Sequence, residues 1–337
     1  MCSKEVNVLG NKDVQRIILT GGAGFIGSNV ALALNQIGYL NIVIVDHLNN
    51  KFKEENLKDL KYSKYLDRIE FLNLIKTNSI SEIDTILHFG ACTKTTNADK
   101  DFMLEMNTEY SKVLFDYCVQ NQLNFIYASS ASTYGDGSKG FSDKERNLKP
   151  LNYYGYSKYL FDEYVLNSKL KPKQWAGLKF FNVYGCNEFH KGFMASMVLQ
   201  GYNQAVNNNE IKLFKASKEG YKDGLEKRDF VYVKDVVKVV LFFLENKISG
   251  IFNLGTGKAR SFLDLSEAIF KSLNKKTKIS FCEMPQDIKD KYQYFTQADI
   301  TSLREAWYLD SFYELEDGVS DYIQNYLMKT RIKESVV

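Results

Sequence analysis

The amino-acid sequence predicts an α/β protein in which a doubly wound parallel sheet is joined to a smaller, mixed α/β lobe. Three observations predict this fold class: apolar runs of strand length alternate with helical segments, a glycine-rich stretch joins the first strand to the first helix, and an aspartate ends the second strand. Parallel strands connected by helices form a sheet that is covered on both faces and binds ligands at the carboxyl ends of its strands.

The alternation of strands and helices extends through about residue 182. We expect strands near residues 16–20, 41–45, 69–72, 84–89, 125–129 and 177–181. The pattern then becomes a mixture of helices and short strands, so the predicted domains are discontinuous. We expect residues 16–182 with 229–254 to form the domain of the large sheet, residues 183–228 with 255–329 to form the smaller lobe, and residues 1–15 to be a polar extension.

The glycine-rich stretch GGAGFIG lies between the first apolar run and a helical segment that begins at Phe25. Gly21 permits a tight turn, Gly24 lets backbone N–H groups approach phosphates, and Gly27 lets the helix pack closely on the sheet. Because the helix N-terminus adds partial positive charge, the loop is a candidate pyrophosphate site of a Rossmann domain. Turns and close packing also select glycine, which leaves a purely structural role open.

Asp46 ends the second strand about twenty residues beyond the glycine loop, where the ribose of a dinucleotide would lie. Lys53 and Arg68 could reach a phosphate on that ribose, which NADP carries and NAD lacks. They favour NADP, with NAD as the alternative. A strand-end aspartate can equally cap a helix, and Lys53 can be a solvated charge on a helix face.

A serine, a tyrosine and a lysine indicate hydride-transfer chemistry. Ser130 follows a predicted strand in SSASTYG, while Tyr154 and Lys158 lie four residues apart in YGYSK and share one face of a helix. A nearby ammonium, together with the positive charge of an oxidised nicotinamide, favours the phenolate and lowers the pKa of the tyrosine, and the serine can hydrogen-bond the reacting oxygen. The pair Tyr-x-x-x-Lys is common on helix surfaces, but its position after a glycine loop predicts a catalytic site.

Composition excludes several other classes of protein. The chain has 44 lysines and arginines and 41 acidic residues, interspersed, so no basic stripe indicates nucleic-acid binding. No apolar run is long enough to cross a membrane and the N-terminus lacks a signal-peptide core, so we expect a cytoplasmic protein. Carboxylates and histidines do not cluster as metal ligands, and His88 is expected to be a hydrogen-bonded core residue. The cysteines lack CxxC spacing and are expected to be free thiols; they are Cys2, Cys92, Cys118, Cys186 and Cys282.

From about residue 16 to residue 326 the chain resembles the extended short-chain dehydrogenase/reductases that act on nucleotide sugars. The segments that carry the resemblance, besides the glycine loop and the serine, tyrosine and lysine, are GACTKTT from Gly90, PLNYYGYSKYLFDEYV from Pro150, FFNVYG from Phe180, HKG from His190, KRDFVYVKDV from Lys227, GIFNLGTGKARSF from Gly250 and YQYFTQADI from Tyr292. Several of these segments are particular to the branch of the family that inverts carbon six of an ADP-heptose.

The resemblance implies roles for individual residues. Tyr154, Lys158 and Ser130 would be catalytic, and Lys191 would be a second acid/base opposite Tyr154. The implied cofactor contacts are Gly21, Gly24, Phe25, Ile26, Gly27, Asp46, His47, Lys53, Arg68, Phe89, Gly90, Ala91, Cys92, Thr93, Asn107, Lys158, Val183 and Lys191. The implied substrate contacts are Ser130, Asn182, Phe193, Gln200, Phe214, Lys215, Ala216, Ser217, Arg228 and Tyr292. At His47, Phe193 and Gln200 the sequence departs from the residues common in the family.

The implied activity is epimerisation by transient oxidation of an ADP-heptose with bound NADP, in a homo-oligomer that the resemblance suggests is a pentamer. One alternative is another nucleotide-sugar epimerase or a dehydratase of the same fold, against which Lys191 and the absence of an acidic pair in SASTYG argue. A second is a non-enzymatic NADP-sensing scaffold, which should have lost part of the catalytic set.

Structural alternatives remain open for three implied site residues. Arg228 can bind two phosphate oxygens at once, or form a surface ion pair with Asp229 or Glu226. Tyr292 can be ordinary core packing. Lys191, judged without the resemblance, would be an exposed lysine. The GTGK sequence that begins at Gly255 lacks full phosphate-loop spacing and is predicted to be a tight turn from a strand to a helix.

Overall fold

The computed structural model describes residues 12, 14–93, 99–289 and 292–330. Most of the polar extension predicted for residues 1–15 lies outside the described residues, and so do residues 94–96 of the GACTKTT segment. Within the described parts of the chain, we find no helix that combines the length and the apolar character needed to cross a membrane.

The strands are β1 (Ile17–Thr20), β2 (Ile42–Asp46), β3 (Lys64–Asp67), β4 (Thr85–His88), β5 (Asn124–Ser130), β6 (Gln174–Phe180), β7 (Asn182–Tyr184), β8 (Ile211–Phe214), β9 (Lys227–Tyr232), β10 (Gly250–Leu254), β11 (Ala259–Ser261) and β12 (Ile279–Cys282). The α-helices are α1 (Phe25–Gln36), α2 (Lys51–Leu57), α3 (Arg68–Lys76), α4 (Lys100–Leu104), α5 (Tyr110–Gln120), α6 (Tyr153–Asn167), α7 (Met197–Asn207), α8 (Val233–Asn246), α9 (Phe262–Ser272), α10 (Gln286–Lys289), α11 (Thr301–Glu305) and α12 (Leu315–Tyr322). Short 3₁₀ turns follow β5 and precede α7, and π-helical turns precede α5 and follow α12.

Seven parallel strands form the central sheet in the order β10-β6-β5-β4-β1-β2-β3. Strands β1 and β2 are buried along their whole length because helices cover both faces of the sheet. Helices α1 and α8 cover one face, where Val30 and Val240 are buried, and α3, α5 and α6 cover the other, where Phe71 and Phe161 are buried. The predicted doubly wound α/β class is confirmed.

The smaller elements gather beside the carboxyl ends of the sheet. Strand β9 pairs with β7 and with β11, and β8 pairs with β12. Helices α7, α9 and α12 enclose a separate apolar cluster around Tyr202, Ile269 and Val319. Although β9 belongs to the three-stranded sheet, the following α8 and β10 return to the central sheet. The chain therefore passes between the two groups of elements more than once.

The strand predicted at residues 69–72 is wrong, because these residues lie within helix α3. The neighbouring edge strand is β3, which pairs with β2 in parallel. Asp67 ends β3 and caps the helix by accepting a hydrogen bond from Ile69 N at 2.9 Å. Phe71 and Ile75, four residues apart, are both buried against the sheet, which is the spacing of a helix face. A short apolar run was therefore misread as a strand.

The predicted core histidine is confirmed. His88 is fully buried at the end of β4, where Nδ1 lies 2.6 Å from Thr20 Oγ1 and Nε2 lies 2.8 Å from Ser111 Oγ. Burial lowers its pKa to about 3, with a further contribution from the charge of Lys158. The imidazole is therefore neutral at physiological pH and joins β1, β4 and α5.

Candidate active site

The glycine loop between β1 and α1 approaches the end of β4 so closely that side chains would not fit. Gly21 has a φ of +69°, and a Cβ there would lie 2.6 Å from Gly90 N. A Cβ on Gly27 would lie 2.1 Å from Gly21 O. Gly24, the N-cap of α1, offers no side chain to occupy the space before the helix. The loop and the helix N-terminus thus form a cradle of the kind that receives a pyrophosphate.

We expect Gly27→Ala to disrupt this cradle. The added methyl group meets backbone atoms, which cannot rotate away, so the loop must shift at a cost of about 1–3 kcal/mol in the free energy of unfolding. Denaturant unfolding and titration with a nicotinamide dinucleotide measure the two effects. Gly38→Ala is the control for binding: Gly38, unlike Gly27, has a positive φ, so this substitution strains the backbone, but no atom lies within 4 Å of the added Cβ and dinucleotide binding should be unchanged. Dinucleotide binding by Gly27→Ala as tight as that of the unsubstituted chain would contradict the cradle.

Asp46, at the end of β2, is buried and holds the glycine loop. Its Oδ2 accepts a hydrogen bond from Ala23 N at 2.9 Å, and its Oδ1 accepts hydrogen bonds from His47 N and Lys53 Nζ, each at 2.7 Å. Asn50, not Asp46, caps helix α2. The alternative of a helix cap at Asp46 is therefore wrong, and Lys53 is part of an ion pair and not a freely solvated charge.

A cavity opens beside Asp46 between the ends of β1, β2 and β4. Lys53 and Arg68 both line it. The other lining residues are Thr20, Gly21, Val45, Asp46, His47, Asn49, Gly90, Ala91, Met106 and Tyr110. His47 also contacts the edge of the sheet, since its Nδ1 lies 3.2 Å from Asp67 Oδ2. The structure thus brings together the residues predicted to surround the adenosine ribose and adds Asn49 and Tyr110, which the sequence analysis missed.

Asn107 fixes the chain after β4 through its side chain. Its Oδ1 accepts a hydrogen bond from Cys92 N at 2.8 Å, and its Nδ2 donates to Cys92 O at 2.9 Å. Ser157 Oγ accepts a further bond from the same amide at 3.1 Å. Asn107 therefore holds the segment that contains Phe89, Gly90, Ala91, Cys92 and Thr93 next to helix α6. A direct cofactor contact for it stays a prediction.

The serine, tyrosine and lysine meet at the carboxyl end of β5. Asn152 caps α6 by accepting a hydrogen bond from Gly155 N at 2.8 Å, which places Tyr154 in the first turn of the helix. The Tyr154 side chain is hydrogen-bonded to Ser130. One turn later, the buried Lys158 donates from Nζ to Ala128 O at 2.8 Å. Residues from two elements thus present a phenol, a hydroxyl and an ammonium together.

Burial dominates the proton affinities in this group. It lowers the pKa of Lys158 to about 8, against the opposing charge of Asp162. It raises the pKa of Tyr154, and the hydrogen bond from Ser130 offsets only part of this. In the protein alone, desolvation of the phenolate is the larger effect, so a lowering of the tyrosine pKa by the ammonium together with an oxidised nicotinamide stays a prediction.

A buried ion pair that the sequence analysis missed lies below Lys158. Asp162, one further turn along α6, accepts a hydrogen bond from Lys179 Nζ at 2.6 Å, and both side chains are almost wholly buried. Ser129 donates to the same carboxylate at 2.7 Å, and Lys179 also donates to Thr133 Oγ1 at 2.8 Å. The spacing of Tyr154, Lys158 and Asp162 in steps of four was the signal that could have revealed this column.

Lys191 lies in the short 3₁₀ turn Phe189–Met194. Its ammonium lies 5.4 Å from the centre of the Phe25 ring, at the start of α1, and the side chain is partly buried. Burial lowers its pKa, and the charge of Glu188 opposes the shift. The reading of Lys191 as an exposed lysine is therefore wrong. Burial also lowers the pKa of the adjacent His190 to about 4, which leaves that ring neutral.

Arg228 is buried in β9, so the alternative of a surface ion pair is wrong. Its guanidinium lies 5.0 Å from the centre of the Tyr292 ring and 5.5 Å from that of Phe262. Burial lowers its pKa, while Tyr292 and Glu226 raise it. Tyr292 is partly buried and holds the arginine from one side. Such a fixed guanidinium can bind two phosphate oxygens at once.

The remaining predicted substrate residues lie on other segments of the smaller group of elements. Asn182 lies at the start of β7 and is exposed. Phe193, in the turn that contains Lys191, is also exposed. The side chain of Gln200 donates a hydrogen bond to the backbone oxygen of Phe193 at 3.1 Å. The segment with Phe214, Lys215, Ala216 and Ser217 follows β8. Two hydrogen bonds in this region were not predicted. The Tyr294 hydroxyl is hydrogen-bonded to the Ser217 hydroxyl, and Gln293 donates to Gly135 O in the loop that follows Ser130. These contacts join residues that are far apart in the sequence, so they became evident only in the folded structure.

The tight turn predicted at GTGK is confirmed, but it leads into a strand and not directly into a helix. It joins β10 to the short strand β11, and Gly257 has a φ of +78°. Asp229, fully buried, accepts hydrogen bonds from the backbone N–H groups of Thr256, Gly257 and Ala298 at 2.8 to 3.0 Å. The carboxylate therefore holds the turn, and the backbone donors bond to protein.

Residues 17–255 match the model of the family described as NAD dependent epimerase/dehydratase. The chain belongs to this epimerase/dehydratase family. It is 48% identical over 326 residues to the ADP-L-glycero-D-manno-heptose-6-epimerase of Fusobacterium nucleatum, covering 93% of this chain and 98% of that protein. It is 44% identical to the protein of the same name from Nitratidesulfovibrio vulgaris, covering 92% and 97%.

A solved structure of Helicobacter pylori ADP-L-glycero-D-manno-heptose-6-epimerase is also similar, with a TM-score of 0.80, 30% identity and coverage of 93% of this chain and 96% of that one. As a member of the epimerase/dehydratase family, the chain is an enzyme, an isomerase that uses a nicotinamide dinucleotide. The glycine cradle and the cavity beside Asp46 agree with such a cofactor in chemistry and position.

Proposed function

We propose that the chain is an ADP-L-glycero-D-manno-heptose 6-epimerase, which inverts carbon six of ADP-D-glycero-D-manno-heptose. The observation that carries this proposal is the 48% identity, over nearly the full length of both chains, to a relative of that name. The site agrees with the chemistry, because Ser130, Tyr154 and Lys158 are brought together and Lys191 faces the start of α1.

The cofactor would supply, in its oxidised form, an acceptor for the hydride of carbon six and, once reduced, the donor of hydride to the other face of the ketone. The protein has to move the proton of the adjoining hydroxyl and orient the sugar. Tyr154 is the proposed acid/base for one epimer, with Ser130 hydrogen-bonded to the reacting oxygen. Lys158 adds positive charge near the phenol and is proposed to hold the ribose next to the nicotinamide.

Lys191 is the proposed acid/base for the other epimer. Inversion requires the ketone to present its other face to the nicotinamide, and Lys191 is proposed to exchange the proton of the oxygen in that second orientation. Burial lowers the pKa of the Lys191 ammonium, so it gives up a proton more readily than an exposed lysine does. Its contact with Phe25 supports a location beside the cofactor cradle.

Arg228 is the proposed ligand of the ADP diphosphate. A guanidinium held by Tyr292 and Phe262 loses little side-chain entropy when it binds phosphate oxygens. The segment from Phe214 to Ser217 and the exposed Asn182 lie on neighbouring elements and are proposed to contact the rest of the substrate. Phe193 and Gln200, which belong to the Lys191 turn or contact it, are proposed to contact the sugar.

NADP is the proposed cofactor. Both oxygens of Asp46 already accept hydrogen bonds, and Lys53 and Arg68 bring two positive charges to the cavity where a ribose 2′-phosphate would lie. The lysine and arginine thereby offset the repulsion between Asp46 and that phosphate. NAD, which would offer a hydroxyl at this point, lacks a charge to match them.

We expect Lys53→Ala to weaken NADP binding roughly 10- to 100-fold, from the loss of a charged hydrogen bond worth about 1.5–3 kcal/mol, and to leave NAD binding almost unchanged. Titration of the apoprotein with each cofactor measures the two affinities. Lys58→Ala is the matched control, because Lys58 is exposed at the end of the same helix. Equal loss of NADP and NAD binding would contradict phosphate recognition by Lys53.

The experiment that tests the function is incubation of the purified protein with ADP-D-glycero-D-manno-heptose, first without and then with added NADP. Proton NMR follows the configuration at carbon six. We expect a mixture of epimers, and loss of conversion in Lys191→Ala but not in the exposed-surface control Lys276→Ala. Absence of conversion under both conditions, with turnover of another nucleotide sugar such as UDP-glucose, would overturn the heptose assignment in favour of the alternative epimerase.

Three further proposals rest on the family. The domain division with residues 16–182 and 229–254 binding the cofactor is supported by the return of α8 and β10 to the central sheet. A homo-oligomer, and a pentamer in particular, is a proposal that sedimentation tests. A cytoplasmic location is proposed because the cofactor and the nucleotide sugar are both small charged molecules made inside cells.

A further inference from the structure

The segment of residues 185–196, here named the Lys191 loop, is closed by one buried carboxylate. Glu188 is fully buried. Its Oε1 accepts a hydrogen bond from Gly185 N at 3.4 Å, at the start of the loop. At the other end, Ser196 donates to it twice, from the backbone N–H and from Oγ, each at 2.6 Å. The two ends of the loop therefore converge on the same side chain, with Lys191 between them.

The Lys191 loop is also attached to the helices that border the cofactor cradle. Asn29 in α1 donates to Cys186 O at 3.0 Å, and Asn187 donates to Ser28 Oγ at 3.0 Å. Asn56 in α2 donates to Asn187 O at 3.1 Å. A defined position of the loop therefore defines the position of Lys191 relative to α1.

The Glu188 carboxylate loses its solvation by water when it is buried, and this loss has to be offset by hydrogen-bond donors and positive charge. Burial raises the pKa of Glu188, and the donors from Ser196 and Gly185 together with the charge of Lys191 counteract the shift. Tyr322 from α12 and Cys186 also face this group, and both are neutral because burial raises their pKa values. The ammonium of Lys191 is thus close enough to favour the charged form of Glu188.

We propose that Glu188 is a positioning residue, whose carboxylate closes the Lys191 loop and fixes the Lys191 ammonium on the side of the substrate opposite Tyr154. The inference rests on the proposed function, in which Lys191 is the second acid/base. A lysine side chain has four rotatable bonds, and a misplacement of about 1 Å can cost roughly 100-fold in rate. Glu188 thus contributes to inversion without contacting substrate or cofactor.

The test compares Glu188→Gln and Ser196→Ala with the exposed-carboxylate control Glu305→Gln. Each holoenzyme is mixed with each of the two ADP-heptose epimers in separate single-turnover experiments. Absorbance of the reduced nicotinamide reports oxidation, and NMR reports inversion. Bound cofactor and the unfolding midpoint are measured on the same samples, and Ser196→Ala supplies a milder change if Glu188→Gln does not fold.

We expect Glu188→Gln to retain its cofactor and to oxidise one epimer at a normal rate, while oxidation of the other epimer and net inversion fall by roughly 100-fold. One limb of the pH profile of the rate should report the Lys191 ammonium and should be absent in Lys191→Ala. In Glu188→Gln this limb should move to lower pH, because removal of the negative charge lowers the lysine pKa. Ser196→Ala should show the same asymmetry to a smaller degree.

Equal loss of oxidation for both epimers, or loss of bound cofactor together with activity, would overturn the positioning role in favour of a merely structural one. Normal inversion with an unchanged pH profile in Glu188→Gln would also overturn it. If the unsubstituted enzyme oxidises neither epimer, the proposed function itself fails, and this inference fails with it. Normal inversion in Lys191→Ala would show that Lys191 is not the second acid/base, and the positioning role of Glu188 would then fail as well.

Discussion

Tyr154→Phe is expected to lose activity by a factor of roughly 10²–10⁴, the range typical for removal of a general acid/base. The phenylalanine retains the ring and its packing but cannot carry the hydroxyl proton of either reaction direction. Burial already raises the pKa of Tyr154, so nothing in the protein alone makes this phenol a ready base. The reaction therefore depends on the positive charge that a bound oxidised nicotinamide would add to that of Lys158 to favour the phenolate.

The measurement for Tyr154→Phe is the rate of epimerisation at saturating substrate, together with the amount of bound cofactor. Tyr153→Phe is the matched control, because Tyr153 is the preceding residue and is exposed. We expect the control to match the unsubstituted enzyme and both variants to keep their cofactor. Activity of Tyr154→Phe within a few-fold of the control would remove this tyrosine from the proton-transfer step.

Asp162→Ala is expected to reduce the free energy of unfolding by about 3–5 kcal/mol, because it leaves the buried ammonium of Lys179 without its counter-charge. The substitution also removes the acceptor for Ser129 and for Tyr127, whose hydroxyl donates to Asp162 at 3.0 Å. Urea unfolding measures the loss. In this variant the pKa of Lys158 should fall below about 8, because the charge of Asp162 raises that pKa in the unsubstituted protein.

A double substitution separates the lost counter-charge from the lost packing. Asp162→Leu with Lys179→Met replaces the ion pair by apolar side chains of similar size, and such replacements are often neutral in stability. We therefore expect the double variant to be more stable than Asp162→Ala. Asp116→Ala, which removes an acceptor of the partly buried Tyr164, should cost much less. A double variant as unstable as Asp162→Ala would show that packing, and not the uncompensated charge, dominates.

Features that depend on nearby residues could be predicted from the sequence. The glycine loop, the aspartate after β2 and the pairing of Tyr154 with Lys158 all follow from spacing, since a tight turn needs glycine and residues four apart share a helix face. The wrong strand prediction at residues 69–72 was also made from nearby residues alone. A short apolar run does not distinguish a strand from a helix, and the cap at Asp67 became clear only in the structure.

The sequence by itself determined the fold class and the position of the glycine loop, and it supplied the side chains that are proposed to be catalytic, because periodicity and motif spacing act over a few residues. Only the tertiary structure decided which charges meet: Lys179 with Asp162 across β6 and α6, and Lys53 with Asp46. It also decided that Arg228 is buried and that Glu188 closes the Lys191 loop. These contacts depend on the order of the strands and on the desolvation of each group, and a linear sequence specifies neither until the chain is packed.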